Sequence, residues 1–139
     1  MADYYGTTLC RQPFGVKTPN KFEKLLKKYG LRKEGESDGE LWYSRDGDKF
    51  EIYGYSSLQF YDGEKDMNVE PASVIQPYLL PGEIAAFMEV GNTKCRYDES
   101  NGYGLIISPK KVRYMCLYNW IDTIAKKMRN EDIHPRIKK

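Results

Sequence analysis

Residues 41–61 read LWYSRDGDKFEIYGYSSLQFY. Two runs of strand-type residues, Leu41 to Ser44 and Lys49 to Tyr55, flank Arg45-Asp46-Gly47-Asp48. Asp-Gly between such runs is a strong short-range signal for a tight hairpin, because glycine enters the positive-φ conformation that these turns require. A third run, Ser57 to Tyr61, ends at Asp62-Gly63. Strands joined by connections this short pair antiparallel, since a parallel return needs a crossover of a dozen or more residues. The stretch therefore predicts an antiparallel meander.

Upstream, TPNKFEKLLKKYG has Thr18 placed to cap a helix, Pro19 at its first position and Gly30 just past its end. Phe22, Leu25, Leu26 and Tyr29 follow helical spacing, with lysines on the remaining faces. Downstream, Pro71 opens a short helix that Pro77 limits to a turn or two. Ile84 to Met88 is continuously apolar and reads as a central strand buried on both faces. Lys94 to Tyr97 and Tyr103 to Ser108 are expected to pair around a loop, and Val112 to Leu117 follows a tight connection. Asn119 is placed to cap a last helix carrying Ile121, Ile124, Ala125 and Met128 as its apolar stripe. The fold class is α+β: a mainly antiparallel meandering sheet with an N-terminal amphipathic helix, a short middle helix and a C-terminal helix. Residues 1–130 read as one domain and 131–139 as a basic tail in which Pro135 opposes helix.

The chain has 139 residues, 40% hydrophobic and 30% charged, enough to bury a core without covalent staples. No apolar run approaches the roughly 20 residues of a membrane span, and the start, MADYYGTTLC, lacks the pattern of a secretory signal. A cytoplasmic protein with no membrane association is expected. Cys10, Cys95 and Cys116 are odd in number and widely spaced, so reduced thiols are expected rather than a disulfide framework or a zinc site. The formal net charge of +2 hides an uneven distribution. Residues 17–33 carry seven bases and one acid, net +6; residues 34–70 carry eleven acids and three bases, net −8; residues 109–139 carry nine bases and three acids, net +6.

Histidine catalysis has little to work with, because His134 is the single histidine and stands in the tail. That also disfavours a Ser-His-Asp or Cys-His system. No phosphate-cradling glycine motif is present. Asp46 and Asp48 belong to a hairpin turn rather than to a metal site, and no metal or cofactor is expected. Glu83 and Glu89 are six residues apart, so a single strand places them on one face. Glu89 follows an apolar run and is the carboxylate whose pKa burial is expected to raise.

The aromatic content is what remains to be explained. Alternation points Phe50 and Ile52 into the core and leaves Glu51, Tyr53 and Tyr55 on the outer face. Leu58 and Phe60 share one face of the third run, and Gln59 and Tyr61 the other. With Trp42 or Tyr43 nearby, the candidate partner-binding residues are Trp42, Tyr43, Glu51, Tyr53, Tyr55, Tyr61, Asp62 and Glu64. Tyrosine and tryptophan suit recognition because they give large contact area at low entropic cost. The acidic setting repels phosphates and suits a protein partner with a basic surface. The expectation is a non-catalytic interaction protein, an inhibitor or adaptor acting through an acidic, tyrosine-rich sheet surface. Immunity proteins and phage-encoded anti-defence proteins share this profile of size and composition, which is an analogy of profile alone. The balance leans away from an enzyme. Two alternatives stand beside it. One is a nucleic-acid-binding module using Lys21, Lys24, Lys28, Lys110, Lys111, Arg113 and Lys127. The other is a small carboxylate-dependent enzyme built on Glu89.

Overall fold

A computed structural model of the chain describes residues 6–91 and 102–133. The elements run β1 (Gly6–Cys10), β2 (Phe14–Gly15), α1 (Pro19–Lys28), β3 (Arg32–Lys33), β4 (Leu41–Asp46), β5 (Lys49–Gly54), β6 (Phe60–Asp62), β7 (Met67–Val69), α2 (Pro71–Ile75) with a 3-10 turn (Gln76–Tyr78), β8 (Ala85–Gly91), β9 (Gly102–Ile107), β10 (Val112–Cys116) and α3 (Leu117–Ile133). The fold is α+β. Among the described residues, eight strands form one mostly antiparallel sheet in the order β10-β9-β8-β1-β5-β4-β3, with β2 also paired to β5, and β6-β7 form a separate two-stranded ribbon.

The hairpin forms where the Asp-Gly signal puts it. Asp46 pairs with Lys49, leaving Gly47 and Asp48 as the loop, and Gly47 takes φ 64°. A positive φ at the first loop position is the type II′ pattern, whose twist matches the strands it joins. α1 ends as its sequence predicts. The Gly30 N–H reaches the Lys27 carbonyl and the Leu31 N–H reaches Leu26, with Gly30 at φ 93°. This is a Schellman closure, sealed by buried Leu26 and Leu31. Its start differs in detail: Thr18 sits at φ 42° and makes no side-chain cap, while its carbonyl accepts from Lys21 and Phe22.

The core lies on one face of the sheet. Phe22 of α1 meets Phe50 edge-on at 5.0 Å between ring centroids and Phe14 at 6.2 Å, and Phe14 meets Phe87 at 5.9 Å. Ile75 and Leu79, from α2 and just past its 3-10 turn, and Phe60 of the ribbon are also fully or almost fully buried. α1, α2 and the ribbon therefore cover one face, and among the described residues the other stays largely open.

Three expectations are corrected. The run Ser57 to Tyr61 does not extend the meander beside β5; that place belongs to β1, and only Phe60–Asp62 is strand, in the separate ribbon. β8 is central but buried on one face only: Ala85 and Phe87 are buried, while Met88 on the other face is exposed. α3 begins at Leu117, ahead of Asn119, and runs past Arg129 to Ile133. The expected strand Lys94 to Tyr97, Cys95 and the tail from His134 lie outside the described residues.

Gly54 is fixed by contact. A Cβ there would stand 2.1 Å from the Glu40 carbonyl oxygen and 2.9 Å from Leu41 Cα, both backbone. At Gly104 the nearest atoms to an added Cβ lie at 3.7 Å, an ordinary contact. Gly54→Ala is expected to cost roughly 3 kcal/mol in urea denaturation, and Gly104→Ala less than about 1 kcal/mol. Equal stability of the two variants contradicts the packing described for Gly54.

Candidate functional site

Antiparallel pairing sets which aromatic side chains emerge on the open face. Trp42 stands directly opposite Tyr53, and Tyr43 opposite Ile52. Ile52 is core, so Tyr43 points inward with it and Trp42 points outward with Tyr53. On the open face the Trp42 and Tyr53 rings stack at 6.5 Å with 23° between planes, and Tyr55 meets Trp42 edge-on at 5.8 Å. The Trp42 indole Nε1 donates to the Glu36 carbonyl at 2.9 Å, which fixes the ring. Tyr55 is 76% exposed at the end of this ladder. Offset and edge-on ring contacts of this kind add about 0.5–1.5 kcal/mol each beyond area burial, so the ladder is preorganised.

Acidic groups adjoin it. Glu34 stands beside Tyr53, and burial together with that carboxylate pushes the phenol pKa up. Glu34, Ser44, Asp46, Glu51 and Glu83 line an open depression of about 700 Å³, together with Arg45 and Lys49. Both of these cations are engaged: Arg45 pairs with Glu23 at 2.8 Å and Lys49 with Glu83 at 2.6 Å. Asp46 and Glu51 form no ion pair among the described residues.

The other expected partner-binding residues are placed elsewhere. Tyr43 is fully buried, and its hydroxyl donates to Glu23 at 2.6 Å. Burial and that carboxylate push its pKa well up. Tyr61, Asp62 and Glu64 belong to the β6–β7 ribbon on the covered side. Tyr61 donates to Asp66, and Asp62 is buried with its carboxylate accepting the N–H groups of Glu64 and Lys65. Asp62 thus builds the ribbon's turn, as an Asx-type cap does. The candidate patch is Trp42, Glu51, Tyr53 and Tyr55; the sequence reading missed Glu34, which only the β3–β4 pairing brings beside Tyr53.

The basic candidates are spread over separate supports. Lys21, Lys24 and Lys28 are exposed on α1 over the covered face, and Lys110 and Lys111 form the β9–β10 turn. Arg113 pairs with Ile106, whose partly exposed side chain lies on the open face, and Lys127 is on α3.

Glu83 and Glu89 are also separated. Glu83 precedes β8, accepts from Lys49 and from the Gly15 N–H at 2.6 Å, and these bonds hold its carboxyl below the usual range. Glu89 faces a cavity of about 160 Å³ on the covered side, lined by Thr8, Glu70, Tyr103 and Tyr114 among others. Burial pushes the Glu89 carboxyl up, opposed by a hydrogen bond from the Leu58 N–H. Tyr114 donates to Glu70, and its pKa is pushed up to about 12. No cluster of three or more metal-ligating side chains occurs among the described residues. No described helix is long and apolar enough to cross a membrane. No family model matches the chain, and neither the curated proteins nor the solved structures hold a match.

Two titrations follow. Glu23 is held below the usual carboxylate range by the Tyr43 hydrogen bond first and by Arg45 next. A lowered folded pKa contributes stability that is present above the unfolded value of about 4.3 and lost as pH falls through the folded pKa. Tyr43→Phe is therefore expected to cost about 1–1.5 kcal/mol at pH 7, with the gap to wild type narrowing on acidification below about pH 5 in stepped urea titrations. Glu89 has the opposite sign: its raised folded pKa means stability is full below the unfolded value and lost as pH rises through the folded one. Glu89→Gln keeps an oxygen for the Leu58 N–H, so its Tm is expected to exceed wild type at about pH 8 and to match it near pH 4. An unchanged or lower Tm at the higher pH contradicts this.

Proposed function

We propose that the chain is a non-catalytic interaction protein that engages another protein through the open face of its sheet, at the β4–β5 end. The observation that carries this reading is the fixed Trp42–Tyr53–Tyr55 ladder on the open face beside Glu51 and Asp46, which form no ion pair among the described residues. Preordered aromatic rings give contact area without an ordering cost on binding. Neighbouring carboxylates select a partner that presents lysine or arginine, both by attraction and by speeding encounter. An inhibitor or adaptor role fits such a surface. The nucleic-acid reading ranks second because its basic residues sit on α1, on an edge turn, on the open face and on α3. The carboxylate-enzyme reading has Glu89 in a small cavity whose other carboxylate, Glu70, is engaged by Tyr114.

The test is affinity capture from lysate of the source cell, with and without nuclease, using wild type and the double variant Tyr53→Ala with Tyr55→Ala. Wild type is expected to retain a nuclease-resistant protein. The double variant, with an unchanged circular dichroism spectrum, is expected to lose affinity by about 2–4 kcal/mol. Equal capture by the folded double variant, or capture abolished by nuclease, overturns the reading.

A further inference from the structure

The other end of the open face is apolar. Leu9, Met88, Gly104 and Met115 are successive register partners on β1, β8, β9 and β10, so they form one row across four strands. Leu9, Met88 and Met115 are 42%, 43% and 44% exposed. Gly104 lacks a side chain, so the row dips between the two methionines. Ala86 and Ile106, paired with each other, flank the dip. The result is an apolar trough of about 340 Å³ in which Arg11 is the one charged lining residue among those described.

The same chain carries a segment suited to it. α3 leaves the end of β10 beside the trough, and Trp120 in its first turns forms one wall. Trp120, Ile121, Ile124 and Met128 fall on one side of the helix, as a spacing of i, i+1, i+4 and i+8 dictates. They are 38–59% exposed, and α3 is exposed from Trp120 to Ile133. A helix of 17 residues standing in water is marginal on its own, because helices in proteins draw most of their stability from a buried apolar face.

We propose that the chain forms a two-fold dimer in which α3 of each copy lies across the trough of the other. The dimensions agree: Trp120 to Met128 spans about 12 Å along a helix, and four strands span about 14 Å. The area agrees as well. With about 200 Å² for each full side chain, the exposed parts of the trough row, Ile106 and the helix stripe amount to roughly 700 Å² per copy, within the range of one side of a stable interface. The charges are complementary. Arg11 and Arg113 border the trough, while Glu131 follows one turn beyond Met128 within the stripe of α3. A patch that contains both the trough and its complement is self-complementary, which is what a two-fold interface needs. The dimer leaves the Trp42 ladder open in each copy, so it stands apart from the proposed partner surface.

Sedimentation equilibrium of the full chain tests this. Wild type is expected at twice 16.2 kDa. Gly104→Glu, which fills the trough, and Ile124→Glu with Met128→Glu, which charges the stripe, are each expected at 16.2 kDa with the wild-type circular dichroism of the sheet. Should Gly104→Glu lose its fold, Met115→Glu repeats the trough test on an exposed side chain. A monomeric wild type up to about 0.1 mM overturns the proposal, since interfaces of this size hold at micromolar concentrations or below. If only one of the two variants becomes monomeric, the pairing is helix to helix or trough to trough, and the proposal fails.

Discussion

The structure depends on the pairing of β1. Residues Gly6–Cys10 lie between β5, from the β4–β5 hairpin, and β8, from the β8–β9–β10 meander. Thr8 is the hinge of that pairing: it stands opposite Gly54 on one side and Glu89 on the other. Its side chain is fully buried, and its hydroxyl donates to the Ser56 carbonyl at 2.7 Å. Without β1, two separate small sheets would each expose a hydrogen-bonding edge. Gly54, the β5 partner of Thr8, is constrained from its other side, where a side chain would collide with the backbone of Glu40 and Leu41.

A sheet joined in this way has one face for the core and one for solvent. α1, α2 and the β6–β7 ribbon all cross to the same side, so the chain buries its phenylalanines there and leaves the opposite face uncovered. That face is divided. The β4–β5 end is aromatic and acidic, and the β1–β8–β9–β10 end is apolar with an arginine border. Solvated sheet faces are ordinarily polar, and contiguous apolar area on one marks a contact surface. The two ends differ in the chemistry they accept, which is why they are assigned different occupants.

Much of this was legible in local sequence and some was not. The Asp46-Gly47-Asp48 turn and the Tyr29-Gly30-Leu31 stop are decided by neighbouring residues, and both form where the sequence places them. The inward direction of Phe50 and Ile52, and the outward direction of Tyr53, follow from strand parity. Parity also separates Trp42 from Tyr43, but only after the register with β5 is known, and register is a property of two segments. Tyr61 and Asp62 were misplaced for a similar reason. Nothing within Ser57 to Tyr61 says that the chain leaves the sheet there, because the neighbour that displaces it, β1, is about 50 residues away in sequence. The apolar run Ile84 to Met88 suggested burial on both faces. It instead marks a strand whose second face carries the trough, and composition alone does not distinguish a buried apolar face from an uncovered one.

The chain has two tryptophans, Trp42 and Trp120, and each reports on one end of the open face. Acrylamide quenching of the single-tryptophan variants Trp120→Phe and Trp42→Phe, followed over a range of protein concentration, tests the division of that face directly. Trp42 is expected to stay accessible at every concentration, while Trp120 becomes shielded and its emission shifts to shorter wavelength as concentration rises. Shielding of Trp42 in the isolated chain, or a Trp120 signal independent of concentration, would contradict it.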